Sequence, residues 1–302
     1  MVCVFSGQGA QFPGMGADLA AKDSEVMALF DRANEVLPFD LKRICFEGPA
    51  EELTKSNICQ PAIFVTSVAC YKAFIKKFPE ARFSMAGGLS LGEWTALHVA
   101  GVLSFDDTLR VLEARGRLMQ QACEAVKTGM ISVMKASAEQ VDEICRTCDL
   151  HKSNINSDAQ VVLSGLIENI QRAEVKCKEL GVRGIALSVA GAFHSPFMQS
   201  AREQMVNVLA DVTFSPPLIP VLSNVLGKPH IPSPEAIRSN MLAQITESVL
   251  WCDCVKSAMA ASEKRFIEFG PGKVLSGLIA RIDRSNQVAN VQDSATLEAI
   301  AL

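Results

Sequence analysis

Apolar positions along the chain fall into two patterns: short unbroken runs, and stripes at helical spacing. Residues 2–6 form a short apolar strand, followed by a glycine-rich loop, GQGAQFPGMG, at 7–16. Positions 57–78 read as a long helix, with Phe64, Val68, Tyr71 and Ile75 on one face. A buried strand is predicted over 83–87 and a helix from about Leu91; another helix runs over 105–126 with Ser104 as its cap. The rhythm then shortens. Strands at 131–135, 153–156, 160–165 and 184–189 interleave with helices at 137–148 and 167–180, which is the βαββαβ order of a ferredoxin-like unit. From Ala190 onward the longer alternation resumes. It gives a helix after Pro196, a short strand at 220–224, helices at 234–245 and 249–261, a strand at 265–270 and a final helix after the PGK turn. Strands alternating with helices predict an α/β layer built on a mainly parallel sheet. The expected organisation is a large domain of residues 1–127 and 190–302, with 128–189 inserted as a small subdomain.

Composition narrows the function classes. Of 302 residues, 49% are hydrophobic and 21% charged, enough for a sizeable core. The net charge of -4 offers no basic footprint for nucleic acid. No apolar run is read as approaching the ~20 residues that span a bilayer. The chain opens inside a strand-like segment with no signal peptide visible, so any transit segment is expected outside it. Ten cysteines sit mostly in apolar or helical surroundings, which suits reduced thiols of an intracellular protein. Cys145 and Cys148 form a CxxC, and Cys252 and Cys254 a CxC. The pairs are not matched, so they read as incidental rather than as a zinc or redox site.

One stretch demands chemistry. Gly88-Leu89-Ser90-Leu91-Gly92 is G-x-S-x-G between a predicted strand and a predicted helix. Ser90 and Glu93 could form a simple capping box, but that leaves both glycines unexplained. A nucleophile elbow explains them, because the turn is too tight for side chains two residues either side of the serine. A serine hydroxyl needs a base. His98 lies ~12 Å along the helix from Ser90, out of reach. His151 and His230 sit among polar and turn residues and read as surface positions. His194 follows a buried strand in a glycine-containing loop and is the candidate base by elimination. No acidic third member stands out; Asp253 and Glu268 fit ordinary surface roles.

Six stretches in order, GQGAQ (7–11), GLSLGEW (88–94), ARGRLMQ (114–120), NINSDAQVVLSG (154–165), GAFHSPFM (191–198) and FIEFGPGKVLSGL (266–278), resemble the malonyl-CoA:acyl carrier protein transacylases. The resemblance covers essentially the whole chain. It implies an α/β-hydrolase-like core with a ferredoxin-like subdomain, and malonyl transfer to acyl carrier protein through an acyl-serine. Matched motif by motif, it implies Ser90 as nucleophile, His194 as base and then acid, and Gln244 orienting His194. Backbone amides of Gln8 and Leu91 would form the oxyanion hole, and Arg115 would grip the malonyl carboxylate. Asn154 and Asn156 would lie near the substrate, and Phe193 would favour malonyl over bulkier acyl groups. Arg117 keeps the reading of a solvated helix residue.

The resemblance further implies a reaction needing no metal or redox cofactor. The partners would be malonyl-CoA and acyl carrier protein, with no nucleic acid or membrane, and the protein is expected to be a soluble intracellular monomer. Leu89, Trp94 and Ser6 depart from common bacterial residues, and GLSLGE resembles plant and plastid-type members, so a cytoplasmic or a plastid or apicoplast location is expected. Lys76, Lys77, Arg110 and Arg183 are available for an acidic carrier. Two alternatives are carried alongside: a serine thioesterase or lipase, and a non-catalytic carrier-binding scaffold.

Overall fold

The computed structural model describes residues 1–301. Its strands, in chain order, are β1 (Val2–Phe5), β2 (Met85–Gly88), β3 (Thr128–Met134), β4 (His151–Ser157), β5 (Gln160–Leu166), β6 (Arg183–Ala186), β7 (Leu222–Ser223), β8 (Lys228–Pro229), β9 (Arg265–Phe269) and β10 (Gln287–Val291). The main sheet runs β10-β9-β1-β2, parallel throughout, and Val221 bridges Ala86 beyond its edge. β1 lies inside this sheet and is apolar without alternation because both its faces are covered. Cys3 and Phe5 face one hydrophobic core, and Val2 and Val4 face the other.

The larger core is organised around helix Ser56–Lys77, which carries a buried residue at nearly every position from Ile58 to Phe74. This differs from the one-faced helix predicted. It also qualifies the expectation that no segment reaches membrane-spanning length. The helix is long and apolar enough by composition, but 83% of its most apolar window is buried inside the protein. An all-round apolar helix of this kind is the central helix of a layered core.

The small sheet has the order β4-β5-β3-β6 and is antiparallel. Counted within the unit that order is 2-3-1-4, as a ferredoxin-like βαββαβ motif requires. Helices Ala138–Cys148 and Ile167–Glu179 bury their apolar stripes against it. A capping box on Ser137 and Gln140 starts the first of these helices. The small sheet is tied to the large layer by main-chain bonds. Ile155 N–H donates to the Val249 carbonyl (2.9 Å), and Val249 N–H donates to Ser153 (2.8 Å).

Several boundaries moved. β6 ends at Ala186 rather than at residue 189, and the chain leaves the sheet there to line a cavity. β8, β10 and helix Ser294–Glu298 were not anticipated, because they are short and mix polar with apolar positions. All ten cysteines are unpaired, and among the described residues no cluster of His, Cys, Asp or Glu is arranged to hold a metal.

Helices Ser56–Lys77 and Phe105–Ala125 cross at Gly116. A β-carbon there would fall 2.2 Å from the Ser56 carbonyl oxygen, a main-chain atom that cannot swing aside. We expect Gly116→Ala to destabilise the protein by about 3 kcal/mol through overpacking. A drop in the denaturant midpoint checks this; an unchanged midpoint would mean the crossing has slack.

Candidate active site

The elbow forms where β2 ends and helix Leu91–Val99 begins. Ser90 has φ 56 and ψ -103, a positive-φ conformation that costs energy for any residue with a side chain. Both flanking glycines are required by contact. A β-carbon on Gly88 would lie 2.1 Å from the Gly92 carbonyl carbon, and one on Gly92 would lie 2.1 Å from the Phe5 carbonyl oxygen. The strained turn is clamped by Asn224. Its Oδ1 accepts from the Ser90 amide (2.7 Å), and its Nδ2 donates to the Gly88 carbonyl (2.8 Å).

The capping-box alternative is not what forms. Ser90 makes no side-chain cap. Its Oγ lies 2.8 Å from His194 Nε2 and accepts from Arg115 Nη2 at 3.0 Å. His194 is itself held at positive φ, 54, and is 4% exposed. Its Nδ1 lies 2.7 Å from the backbone carbonyl of Gln244. A carbonyl can only accept, so Nδ1 carries the proton and Nε2 is left free to accept from Ser90. The third member of this set is thus a main-chain oxygen, not an acid.

The side chain of Gln244, fully buried, does different work. Its Nε2 donates to the Ser90 carbonyl (3.0 Å) and to Glu93 Oε2 (2.6 Å), while its Oε1 accepts from Arg115 Nη2 (3.0 Å). Arg115 is 1% exposed, and its Nη1 donates to Gln60 Oε1 at 2.7 Å. Burial lowers the Arg115 guanidinium to about 10, opposed by the negative charge of Glu93. Burial, and then the nearby positive charge of Arg115, push the His194 imidazole down to about 4. His194 is therefore neutral at physiological pH, the state a base must be in.

Ser90, His194, Arg115, Phe193, Asn154, Asn156 and Gln8 all line one cavity of about 590 Å³, and Leu89 contributes to its wall. Asn156 Oδ1 is buried without a protein partner among the described residues. Gly7 packs the GQG loop against the elbow, since a β-carbon there would meet the Leu89 carbonyl oxygen at 2.8 Å. Leu91 is the first helical residue, so its amide has no acceptor within the helix.

Two readings from sequence are corrected. His230 is buried, not on the surface: its Nε2 meets Glu93 Oε1 at 2.7 Å and its Nδ1 meets Asn240. Glu268 is likewise fully buried. It accepts from the Leu275 and Ser276 amides at the start of helix Val274–Ile282, and burial raises its carboxyl above the usual range. Of the cations available for a carrier, two lie far from the cavity. Lys76 and Lys77 close the helix whose N-cap, Lys55, lines it, ~30 Å away, and they pair with Asp23 and Glu298. Arg110 pairs with Asp107, and Arg183 is exposed. Three residues of the site went unread in the sequence: Gln60, Asn224 and Glu93 in its observed role. The available signal was a polar residue isolated in an apolar context, as in ICQPAIF and VLSN.

Comparison with known proteins fits this geometry. The acyl transferase domain family matches residues 2–298. The chain belongs to this family, among its malonyl-CoA:acyl carrier protein transacylases. A malonyl CoA-acyl carrier protein transacylase from Haemophilus influenzae is 37% identical, over 98% of this chain and 96% of its own. The crystal structure of such a transacylase from Clostridium perfringens superposes with a TM-score of 0.93 at 33% identity, covering 99% of this chain and 95% of that one. A malonyl-transacylase solved in complex with its type II PKS acyl-carrier protein gives 0.94 at 35% identity, covering 99% and 97%.

The low position of His194 sets the pH response of this family member. In the free enzyme the acid limb of kcat/KM for acylation should fall near pH 4, well below an ordinary histidine. Arg115→Ala removes the neighbouring positive charge and should move that limb upward. A limb already at about 6.5 would contradict the arrangement.

Proposed function

We propose that the chain is a malonyl-CoA:acyl carrier protein S-malonyltransferase that works through a malonyl ester of Ser90. The observation that carries this is the shared contact of Ser90 Oγ with a neutral imidazole and with a buried guanidinium. The first makes a nucleophile; the second supplies a fixed positive charge where an acyl carboxylate would lie.

Ser90 Oγ attacks the thioester carbonyl while His194 Nε2 takes its proton. The oxyanion that forms is stabilised by the Gln8 and Leu91 amides, at the helix N-terminus where partial positive charge gathers. The intermediate collapses with cleavage of the carbon–sulfur bond, and His194 returns the proton to the CoA sulfur. In the second half the phosphopantetheine thiol of the carrier gives its proton to His194 and attacks the ester carbonyl. Ser90 then leaves and recovers its proton. Each half-reaction conserves one proton on the Ser–His pair, and side chains and backbone amides suffice for every step. Arg115 binds the malonyl carboxylate, Phe193 limits the acyl group, and Asn154 and Asn156 lie along the substrate. The large part, 1–127 and 190–302, carries the chemistry, and 128–189 walls one side of the cavity.

The two alternatives are less well supported. A hydrolase has no need of a buried arginine beside its nucleophile. A scaffold has no need of the strain at both Ser90 and His194.

Incubation with malonyl-CoA should add one malonyl group to the peptide containing Ser90, read by mass spectrometry. Ser90→Ala should remove that label. Initial rates against both substrates should give parallel reciprocal plots; intersecting plots, or a label that survives Ser90→Ala, would remove the acyl-serine.

A further inference from the structure

A buried guanidinium normally sits against a carboxylate, because desolvating a lone cation is costly. Arg115 does not. Its hydrogen-bond partners among the described residues are Gln60 Oε1, Gln244 Oε1 and Ser90 Oγ, all neutral, and its Nε has none. A buried carboxylate does stand nearby. Glu93 is 1% exposed, and its charge is felt at Arg115. Gln244 stands between them, giving its amide nitrogen to Glu93 and its amide oxygen to Arg115. On the other side Gln60 is 0% exposed and faces Arg115 with an amide where a glutamate of the same shape would fit.

We propose that Gln60 is a specificity-determining residue: its neutral amide, together with that of Gln244, holds Arg115 in place without cancelling its charge. The cation is thereby reserved for an acyl group that brings its own carboxylate. Amide oxygens supply the directional bonds that fix the guanidinium plane. They do not supply the negative charge that would make the substrate carboxylate redundant. Gln244 keeps the existing carboxylate of Glu93 one amide away, and Gln60 keeps the opposite side uncharged. An apolar residue at 60 would leave Nη1 unpartnered, and an acid would pre-empt the substrate.

This rests on the acyltransfer reading above, and the test separates the two. Acylation of Ser90 by malonyl-CoA and by acetyl-CoA is timed by mass spectrometry in the full-length wild type, Gln60→Glu and Gln60→Met. Wild type that takes no malonyl group would sink the function itself and not the role of Gln60. Gln60→Glu is isosteric, and Gln8, whose Oε1 accepts from Gln60 Nε2 at 3.3 Å and whose Nε2 donates to Ser56 Oγ at 3.1 Å, can turn its exposed amide over because the Ser56 hydroxyl can donate as well as accept. In Gln60→Glu, malonyl acylation should fall about 30-fold in kcat/KM, mostly through KM, while acetyl acylation changes by less than about threefold. In Gln60→Met both acyl groups should slow by a similar factor, leaving their ratio within about threefold of wild type, because the site stays neutral. Equal losses in Gln60→Glu would overturn the proposal. So would a collapsed malonyl-to-acetyl ratio in Gln60→Met, which decides the matter alone if the glutamate variant does not fold.

Discussion

Gln244 is the residue on which the site converges. Its carbonyl fixes the tautomer of His194, its amide nitrogen braces the strained carbonyl of Ser90, and its amide oxygen holds Arg115. Each of these groups is expensive to keep: two residues at positive φ and a desolvated cation. They persist because the surroundings over-determine them. The side-chain amide donates twice and accepts once, and it cannot turn over without setting its oxygen against the Glu93 and Ser90 oxygens and its nitrogen against the Arg115 guanidinium. The polarity of a single buried amide therefore orders nucleophile, base and cation together.

Much of this was legible in the chain, and the limits of legibility are physical. G-x-S-x-G announces the elbow because contacts a few residues apart set its geometry, as the Gly88–Gly92 approach shows. His194 could be reached by elimination because only four histidines exist and the others lay out of reach or in turns. Arg115 and Gln244 were legible only through resemblance to a family; nothing in the local pattern EARGR or LAQIT distinguishes a buried partner from a solvated one. What stayed hidden depends on contacts between distant residues. Asn224 clamps Ser90 from 134 positions away, and Glu93 meets His230 across 137. A polar residue in a turn-rich stretch such as GKPHIPS reads as solvated unless its distant partner is known, which is why His230 was misplaced.

The small antiparallel sheet bears on the same centre. Its β4 meets the large layer through Val249, five residues beyond Gln244. The strand carrying Asn154 and Asn156 and the segment carrying Gln244 are therefore placed by one short ladder of main-chain bonds. A loop could have supplied the same residues with less precision, since a ladder fixes register and a loop does not. The early end of β6 serves the cavity from the other side. Leaving the sheet at Ala186 lets Leu187 to Ala190 line the cavity before the chain reaches Phe193 and His194.

The electrostatics also change with occupancy. Arg115 helps depress His194, so the free site holds a weak base beside its nucleophile. A carboxylate bound at Arg115 would offset that positive charge, and the imidazole would regain basicity as the serine is about to lose its proton. An acetyl group brings no such compensation and would leave His194 depressed. The same cation would then discriminate twice: once in binding, where only neutral groups hydrogen-bond to it until a carboxylate arrives, and again in chemistry, where the strength of the base depends on that carboxylate.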